Sequence, residues 1–364
     1  MKKILSLAII FLVVLLLLYP MRVKSAQRPD WIPSDWIQLT VNSYYDAQPS
    51  WSPDGSEIVY TAQAQAGSPS KMWVMNADGA NKKILRDLWI EATDISPDGS
   101  KIVFSRYAGE NRFHIAMTDF TEDDIYDFTD IYSINSSHVP QWSPKGDKIA
   151  FHSETPGATH TSRIFTINPD GTEPMPLTTE DCFFPSWSPD GSKIAYQKGW
   201  ASQAEICVMN ADGSNMVQLT NMLGDLRAVR PMWSPDGKIS FLSDFEGQVD
   251  IYMMNEDGTN IVRLTNTPGT WNTFGEEYDH VWSPDGKWIA LSEHIDVDDS
   301  DIYLMPMRVI KSLSASMNID PNTLNLKSNG EWITAYIELP EGYDVADIDI
   351  FTVQLEGIPA ITDT

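Results

Sequence analysis

One five-residue phrase recurs along the chain at near-equal intervals and leaves few folds open to it. Trp-Ser-Pro-Asp-Gly stands at Trp51–Gly55, Trp187–Gly191, Trp233–Gly237 and Trp282–Gly286. Two further copies are altered. Ile95-Ser96-Pro97-Asp98-Gly99 lacks the Trp, and Trp142-Ser143-Pro144-Lys145-Gly146 carries Lys in place of Asp. From proline to proline the steps are 44, 47, 45, 46 and 49 residues. Self-similarity at that period marks a stacked or radial architecture built from one supersecondary unit.

The unit is legible between Phe184 and Thr220. Pro185-Ser186-Trp187 leads into Ser188-Pro189-Asp190-Gly191. There Pro presets φ and Gly supplies φ > 0, as a tight hairpin turn requires. Lys193-Ile194-Ala195-Tyr196 is a short apolar run of strand length, and a polar loop follows it. Glu205 to Met209 and Met216 to Thr220 flank Asn210-Ala211-Asp212-Gly213-Ser214, whose Asp-Gly pair is again a hairpin dipeptide. The repeats contain no amphipathic helical pattern. Four short antiparallel strands per unit, here called A to D, predict the blades of a β-propeller.

Six A–B hairpins are each followed by a C strand, but only five D strands follow in order, at Lys83–Leu85, Ile125–Thr129, Met175–Thr178, Met216–Thr220 and Ile261–Thr265. The sixth C strand, Asp301 to Met305, runs into Pro306. Trp36-Ile37-Gln38-Leu39-Thr40 matches Met216-Val217-Gln218-Leu219-Thr220 and precedes the first repeat. It is expected to supply the missing outer strand, closing a six-bladed all-β ring and covering an open blade edge.

These units resemble the TolB-type, WD-like propeller repeat, which also occurs in the propeller domains of prolyl-oligopeptidase-like enzymes. The likeness runs over roughly residues 36 to 305 and is carried by the Ser-Pro-(Asp/Lys)-Gly and Met-Asn-x-Asp-Gly turns. The matching residues are turn and core residues, so the resemblance implies a fold more than a function. TolB itself has an α/β domain before its propeller. Here only a few residues separate the leader from the first strand, so the chain reads as a stand-alone TolB-like propeller, and binding of TolB's lipoprotein partner is not carried over.

Residues 1 to 26 join a basic start, Lys2-Lys3, to an apolar run from Ile4 to Tyr19. That is the layout of a secretory signal, cleaved or retained as a membrane anchor, and it places the remainder outside the cytoplasm, secreted, periplasmic or on the cell surface. Residues 27 to 311 form the propeller. Residues 312 to 364 change character, with strand-like runs at Ser316–Leu326, Glu331–Leu339 and Asp347–Leu355 that resemble the start of a small β-sandwich-like module. The formal charge of −26 excludes a phosphate-binding face, so nucleic acid is not an expected partner. Cys182 and Cys207 fall on strands A and C of the fourth unit. With strand B between them their backbones lie roughly 9–10 Å apart, too far for a disulfide.

In such a meander the A–B and C–D turns share one face, and the D–A and B–C connections share the other. The second set varies in length and composition, which is where a rigid scaffold carries its binding residues. The expected ligand-binding residues, on the D–A connections and the A-strand starts near the channel, are Tyr45, Asp46, Glu91, His138, Phe183, Arg230, Trp271, Phe274, Glu277, Asp279 and His280. No Gly-x-Ser-x-Gly and no hydrolase domain accompany them, so a prolyl-oligopeptidase-type peptidase is excluded. Propeller lyases acting on pectin fragments resemble the same repeat family and use channel histidines with a metal. His138 and His280 invite that reading, but they stand four and two residues before their Trp, in different registers. Asp296 to Asp301 has alternating oxygen ligands without the calcium-loop Gly, and reads as a solvated acidic loop. The expectation is a monomeric, non-catalytic scaffold for an envelope protein or glycan, with no cofactor and no bound metal. The alternative is a metal-assisted carbohydrate-active enzyme using the central channel.

Overall fold

The computed structural model describes residues 33 and 35–307, apart from 65–67, 111, 122–123, 130–135, 155–161, 201–203, 222–225, 266–278 and 297–298. The leader (1–26) and the C-terminal module (312–364) lie outside the described residues. Every regular element among those described is a β-strand.

Strand β1 (Ile37–Gln38) stands before the repeats. The first unit follows with β2 (Tyr45–Trp51), β3 (Glu57–Gln63), β4 (Lys71–Asn76) and β5 (Lys83–Arg86). The second holds β6 (Ile90–Ile95), β7 (Lys101–Gly109), β8 (Arg112–Asp119) and β9 (Tyr126–Asp127). The third holds β10 (Ser137–Trp142), β11 (Ile149–Glu154), β12 (Ser162–Ile167) and β13 (Met175–Pro176). The fourth holds β14 (Cys182–Trp187), β15 (Lys193–Lys198), β16 (Glu205–Asn210) and β17 (Val217–Gln218). The fifth holds β18 (Ala228–Trp233), β19 (Lys238–Ser243), β20 (Asp250–Asn255) and β21 (Val262–Arg263). The last has β22 (His280–Trp282), β23 (Trp288–Asp296) and β24 (Asp299–Pro306). Units two to five are separate four-stranded antiparallel sheets, and the first and last units share one eight-stranded sheet. Strand β15 lies between the strands of Cys182 and Cys207, both buried thiols.

The repeated phrase builds its turn as the residues dictate. Gly55 donates its N–H to the Ser52 carbonyl at φ 72°, and the Ser52 hydroxyl donates to Asp54 Oδ1 at 2.7 Å while accepting the Glu57 N–H. In the copy with Lys145, the Ser143 hydroxyl turns instead to Asp147 at 2.5 Å. The five repeat tryptophans are 7–9% exposed and sit in cores shared by neighbouring units. Trp187, for example, packs with Ala150 and Ile164 of the third unit and Ile194 and Met209 of the fourth. Each unit therefore buries its apolar face only by stacking on the next.

The D strands of units two to five are shorter than the sequence suggested, because a side chain takes over from the backbone ladder. In these units the D segment ends in a threonine whose hydroxyl accepts an N–H from its C strand: Thr129 from Ile115, Thr178 from Ile164, Thr220 from Ile206 and Thr265 from Ile251, all at 2.9–3.0 Å. Thr40 does the same for Ile302 at 2.8 Å. Strand β1 pairs antiparallel with β24, Ile37 opposite Leu304 and Gln38 opposite Tyr303. The N-terminal strand thus occupies the outer position of the last unit, as expected. Its contacts confirm the equivalence. A Cβ on Gly213 would meet the Leu177 carbonyl of the preceding D strand at 3.0 Å, and one on Gly79 would meet the Leu39 carbonyl at the same distance. Leu39 also joins Trp51, Ile58, Ala290, Ile302 and Leu304 in a core linking the last unit to the first.

Candidate functional site

The A strands of all units converge on a cavity of about 60 Å³, lined by Gln48, Asp94, Gln141, Phe184, Arg230 and His280 among others. Its bore is narrow. Gln141 Nε2 of the third unit reaches Met232 Sδ of the fifth at 3.5 Å. Sites for drug-sized ligands run to about 300–1,000 Å³, so this cavity suits ordered water rather than a substrate.

The end of the cavity facing the D–A and B–C connections, the mouth, owes its geometry to a recurrent bulge. The A–B register slips between Ala47 and Ser50, His138 and Gln141, Phe183 and Ser186, and Val229 and Met232. At each slip a non-glycine residue before proline has positive φ: Gln48 (53°), Val139 (49°), Phe184 (50°) and Arg230 (52°). Such backbone costs roughly 1 kcal/mol or more per residue and needs surroundings that hold it. Here the neighbouring unit does so. Ser105 Oγ accepts the Val139 N–H at 3.1 Å, His152 Nδ1 accepts that of Phe184 at 3.4 Å and Gln197 Oε1 accepts that of Arg230 at 3.4 Å. A bulge bends its strand and re-aims the side chains around it. His138 and Phe183, immediately before two of these slips, stand at the mouth, and Arg230 lies within a third.

Two charge pairs occupy it. His138 donates from Nδ1 to Glu91 Oε2 at 2.6 Å, across units three and two, and its Nε2 lies 2.8 Å from Ser136 Oγ. A carboxylate only accepts, so Nδ1 carries a proton. Arg230 pairs with Asp279 and stacks its guanidinium 4.3 Å from the centre of the Phe184 ring. Burial raises the Asp279 pKa, with Arg230 pulling it back down. His152, buried between them, is held well below the ordinary imidazole value by burial, then by His138 and Arg230. It is a neutral hydrogen-bonding support. Lower in the cavity, burial pushes Asp94 up to about 7, although it accepts the Trp142 N–H at 2.7 Å.

A chain of rings borders the Glu91–His138 pair. Trp89 lies 4.2 Å from Tyr107, Tyr107 5.5 Å from Phe113, Phe113 5.2 Å from His138, and His138 5.5 Å from His152. His152 lies 5.5 Å from Phe183, and Phe183 4.9 Å from Trp200. The run crosses units two, three and four.

The sequence matches the TolB β-propeller domain over residues 32–184 and 178–318, which together span most of the chain. The chain belongs to the TolB β-propeller family. Among solved structures it is similar to a protein of Agrobacterium tumefaciens assigned as TolB, with 22% identity, a TM-score of 0.56, and 74% of this chain and 93% of that one covered. It is also similar to TolB from Acinetobacter baumannii, with 18% identity, a TM-score of 0.53, and 64% and 57% covered. An oligogalacturonate lyase in complex with manganese aligns at 15% identity and a TM-score of 0.50 over 75% and 93% of the two chains. A gluconolactonase from Xanthomonas campestris aligns at 13% and 0.55 over 75% and 89%. At these identities the likeness is one of fold. No curated protein matches the sequence.

Only some of the expected site residues meet in the structure. Glu91, His138, Phe183, Arg230 and Asp279 gather at the mouth, the first four on A strands rather than in loops. Asp46 does not join them. It is fully buried on β2, where Asn42 Nδ2 donates to it at 2.6 Å. Tyr45 pairs with Ser300 at the joint between first and last units. His280 lines the cavity but turns to Ser240 Oγ at 2.8 Å, and burial lowers its pKa to about 3. It therefore does not share partners with His138. Among the described residues no three His, Cys, Asp or Glu side chains group as metal ligands. Trp271, Phe274 and Glu277 lie outside the described residues. In the acidic run, Asp301 is not solvated. It is fully buried, accepting from Gln38 Nε2 at 2.8 Å and Thr40 Oγ1 at 3.2 Å. Sequence reading missed Trp89, Asp94, His152 and Trp200. Aligning the repeats would have shown Asp94 where other units carry Ser50 or Ser186, and His152 where they carry Thr61 or Gln197.

Proposed function

We propose that this chain is an extracytoplasmic, six-bladed propeller that works as a monomeric, non-catalytic binding scaffold and takes an envelope protein or glycan at the mouth of its channel. The observation that carries the reading is the gathering of Glu91, His138, Phe183, Arg230 and Asp279 at one point from five consecutive units. None of the five belongs to the recurring Trp-Ser-Pro-Asp-Gly phrase. Family membership supports the ring, and the pairing of β1 with β24 supports its closure. The basic and apolar start of the sequence supports export through residues 1–26, as signal or anchor. The narrow cavity and the separate partners of His138 and His280 favour a surface ligand over chemistry inside the channel.

Hydrogen exchange of the purified protein, with and without solubilised envelope material, tests the reading. Protection is expected at 88–92, 136–139, 183–184 and 228–230, and not at the opposite-face turn 210–214. Protection confined to that opposite turn would overturn it.

A further inference from the structure

The ligand's chemistry follows from the surface around the mouth, and this inference rests on the mouth being the binding site. Trp89, 37% exposed, precedes β6, and Trp200, 53% exposed, follows β15. The ring chain described above joins them and passes through His138. Both indoles are fixed by ring contacts, Trp89 on Tyr107 and Trp200 on Phe183 and Phe184. A propeller of this kind buries its repeat tryptophans, so two exposed ones backed by aromatics at the functional face are not core residues left over. Tryptophan presents a large, rigid apolar face at small entropic cost.

Between these faces the groups are polar but already neutralised in pairs, Glu91 with His138 and Asp279 with Arg230. The chain as a whole carries −26, which disfavours a polyanion. The cavity of about 60 Å³ does not admit a deep side-chain anchor of the kind that dominates protein interfaces. What fits is an extended, uncharged chain with flat apolar faces and hydroxyl-rich edges. A pyranose ring has both, its C–H face against an indole and its hydroxyls toward carboxylate and imidazole. We propose that Trp89 and Trp200 are the stacking platforms of a subsite for a neutral oligosaccharide, with Glu91 and His138 bonding hydroxyls between them.

Titration calorimetry on the full chain tests this with hexamers of β-linked glucose and of N-acetylglucosamine, a galacturonate hexamer, and proline-rich peptides. Trp89→Ala and Trp200→Ala are compared with Phe245→Ala, an exposed aromatic outside the ring chain, and thermal melts establish that each variant folds. A neutral hexamer is expected to bind, about tenfold more weakly in each Trp variant, the loss of one aromatic stack, and unchanged in Phe245→Ala. Neutral hexamers that fail to bind, or that bind all variants alike, overturn the proposal. If galacturonate or peptide binds instead and depends on Trp200, the mouth remains the site and only the ligand class is wrong. If no probe binds and envelope material leaves the mouth unprotected in hydrogen exchange, both readings fall.

Discussion

Replacing Thr40 by valine distinguishes a structural clasp from a dispensable N-terminal appendage. Thr40 is fully buried. Its hydroxyl accepts the Ile302 N–H at 2.8 Å and donates to Asp301 Oδ1 at 3.2 Å. Valine keeps the shape and removes both bonds. It leaves a buried amide without its acceptor and takes one donor from a fully buried carboxylate. With about 1–3 kcal/mol for the orphaned amide and about 1 kcal/mol for Asp301, which keeps Gln38 Nε2 as a donor, Thr40→Val should cost about 2–4 kcal/mol. The internal standard is Thr220→Val, since Thr220 accepts the Ile206 N–H at 2.9 Å and donates to buried Glu205. Urea unfolding followed by tryptophan fluorescence reads both. With m of roughly 2–3 kcal/mol per molar, each midpoint should fall by about 1 M with m unchanged. The reasoning is refuted if Thr220→Val loses that much and Thr40→Val stays within about 0.5 kcal/mol of the parent, the scatter of ordinary surface substitutions.

Three further outcomes follow from the same geometry. Gly258→Ala places a Cβ 2.8 Å from the Leu219 carbonyl oxygen at φ 83°, whereas Gly237→Ala at φ 84° meets nothing within 4 Å. The second should cost about 1–2 kcal/mol for the left-handed backbone alone and the first clearly more, measured by the same denaturation. Burial holds Asp94 at about 7, above its unfolded value near 3.9, so the folded state binds the extra proton. Stability should therefore fall as pH rises from about 4 to about 7 and level off above. Asp94→Asn should remove a slope on the order of 1 kcal/mol per pH unit from melts in that window, and an unchanged slope would contradict the assignment. Arg230→Ala leaves Asp279 without its cation. Melting temperature should drop by several degrees, and Arg230→Ala/Asp279→Asn should recover part of that loss if the pair is coupled as described.

The fold was legible because its determinants are local. Ser-Pro-Asp-Gly turns declare themselves in sequence, and the likeness of Trp36–Thr40 to Met216–Thr220 marks the closing strand that pairs with β24. The D-strand lengths were not legible, since Leu-Thr endings look like continuing strand while the threonine hydroxyl in fact replaces the ladder. The site was half legible. Glu91, His138, Phe183, Arg230 and Asp279 stood out as polar or aromatic residues at the starts of A strands. Which of their neighbours turn inward depended on the positive-φ bulges at Gln48, Val139, Phe184 and Arg230, a conformation that no residue type there announces. Asp46 was misjudged for that reason, its carboxylate being buried beneath Asn42. Trp200 was passed over because it sits in a B–C connection, and its partner ring Phe183 is distant only in sequence.

The measurement that most directly tests the central claim is site-specific photocrosslinking in intact cells, with the probe at Glu91 or Trp200 on the mouth and at Asp212 on the opposite face. The account predicts discrete adducts from the first two positions, reduced by Trp89→Ala, and none from Asp212. Adducts from Asp212 with silence at the mouth would place the working surface on the Asp-Gly turn face and contradict it.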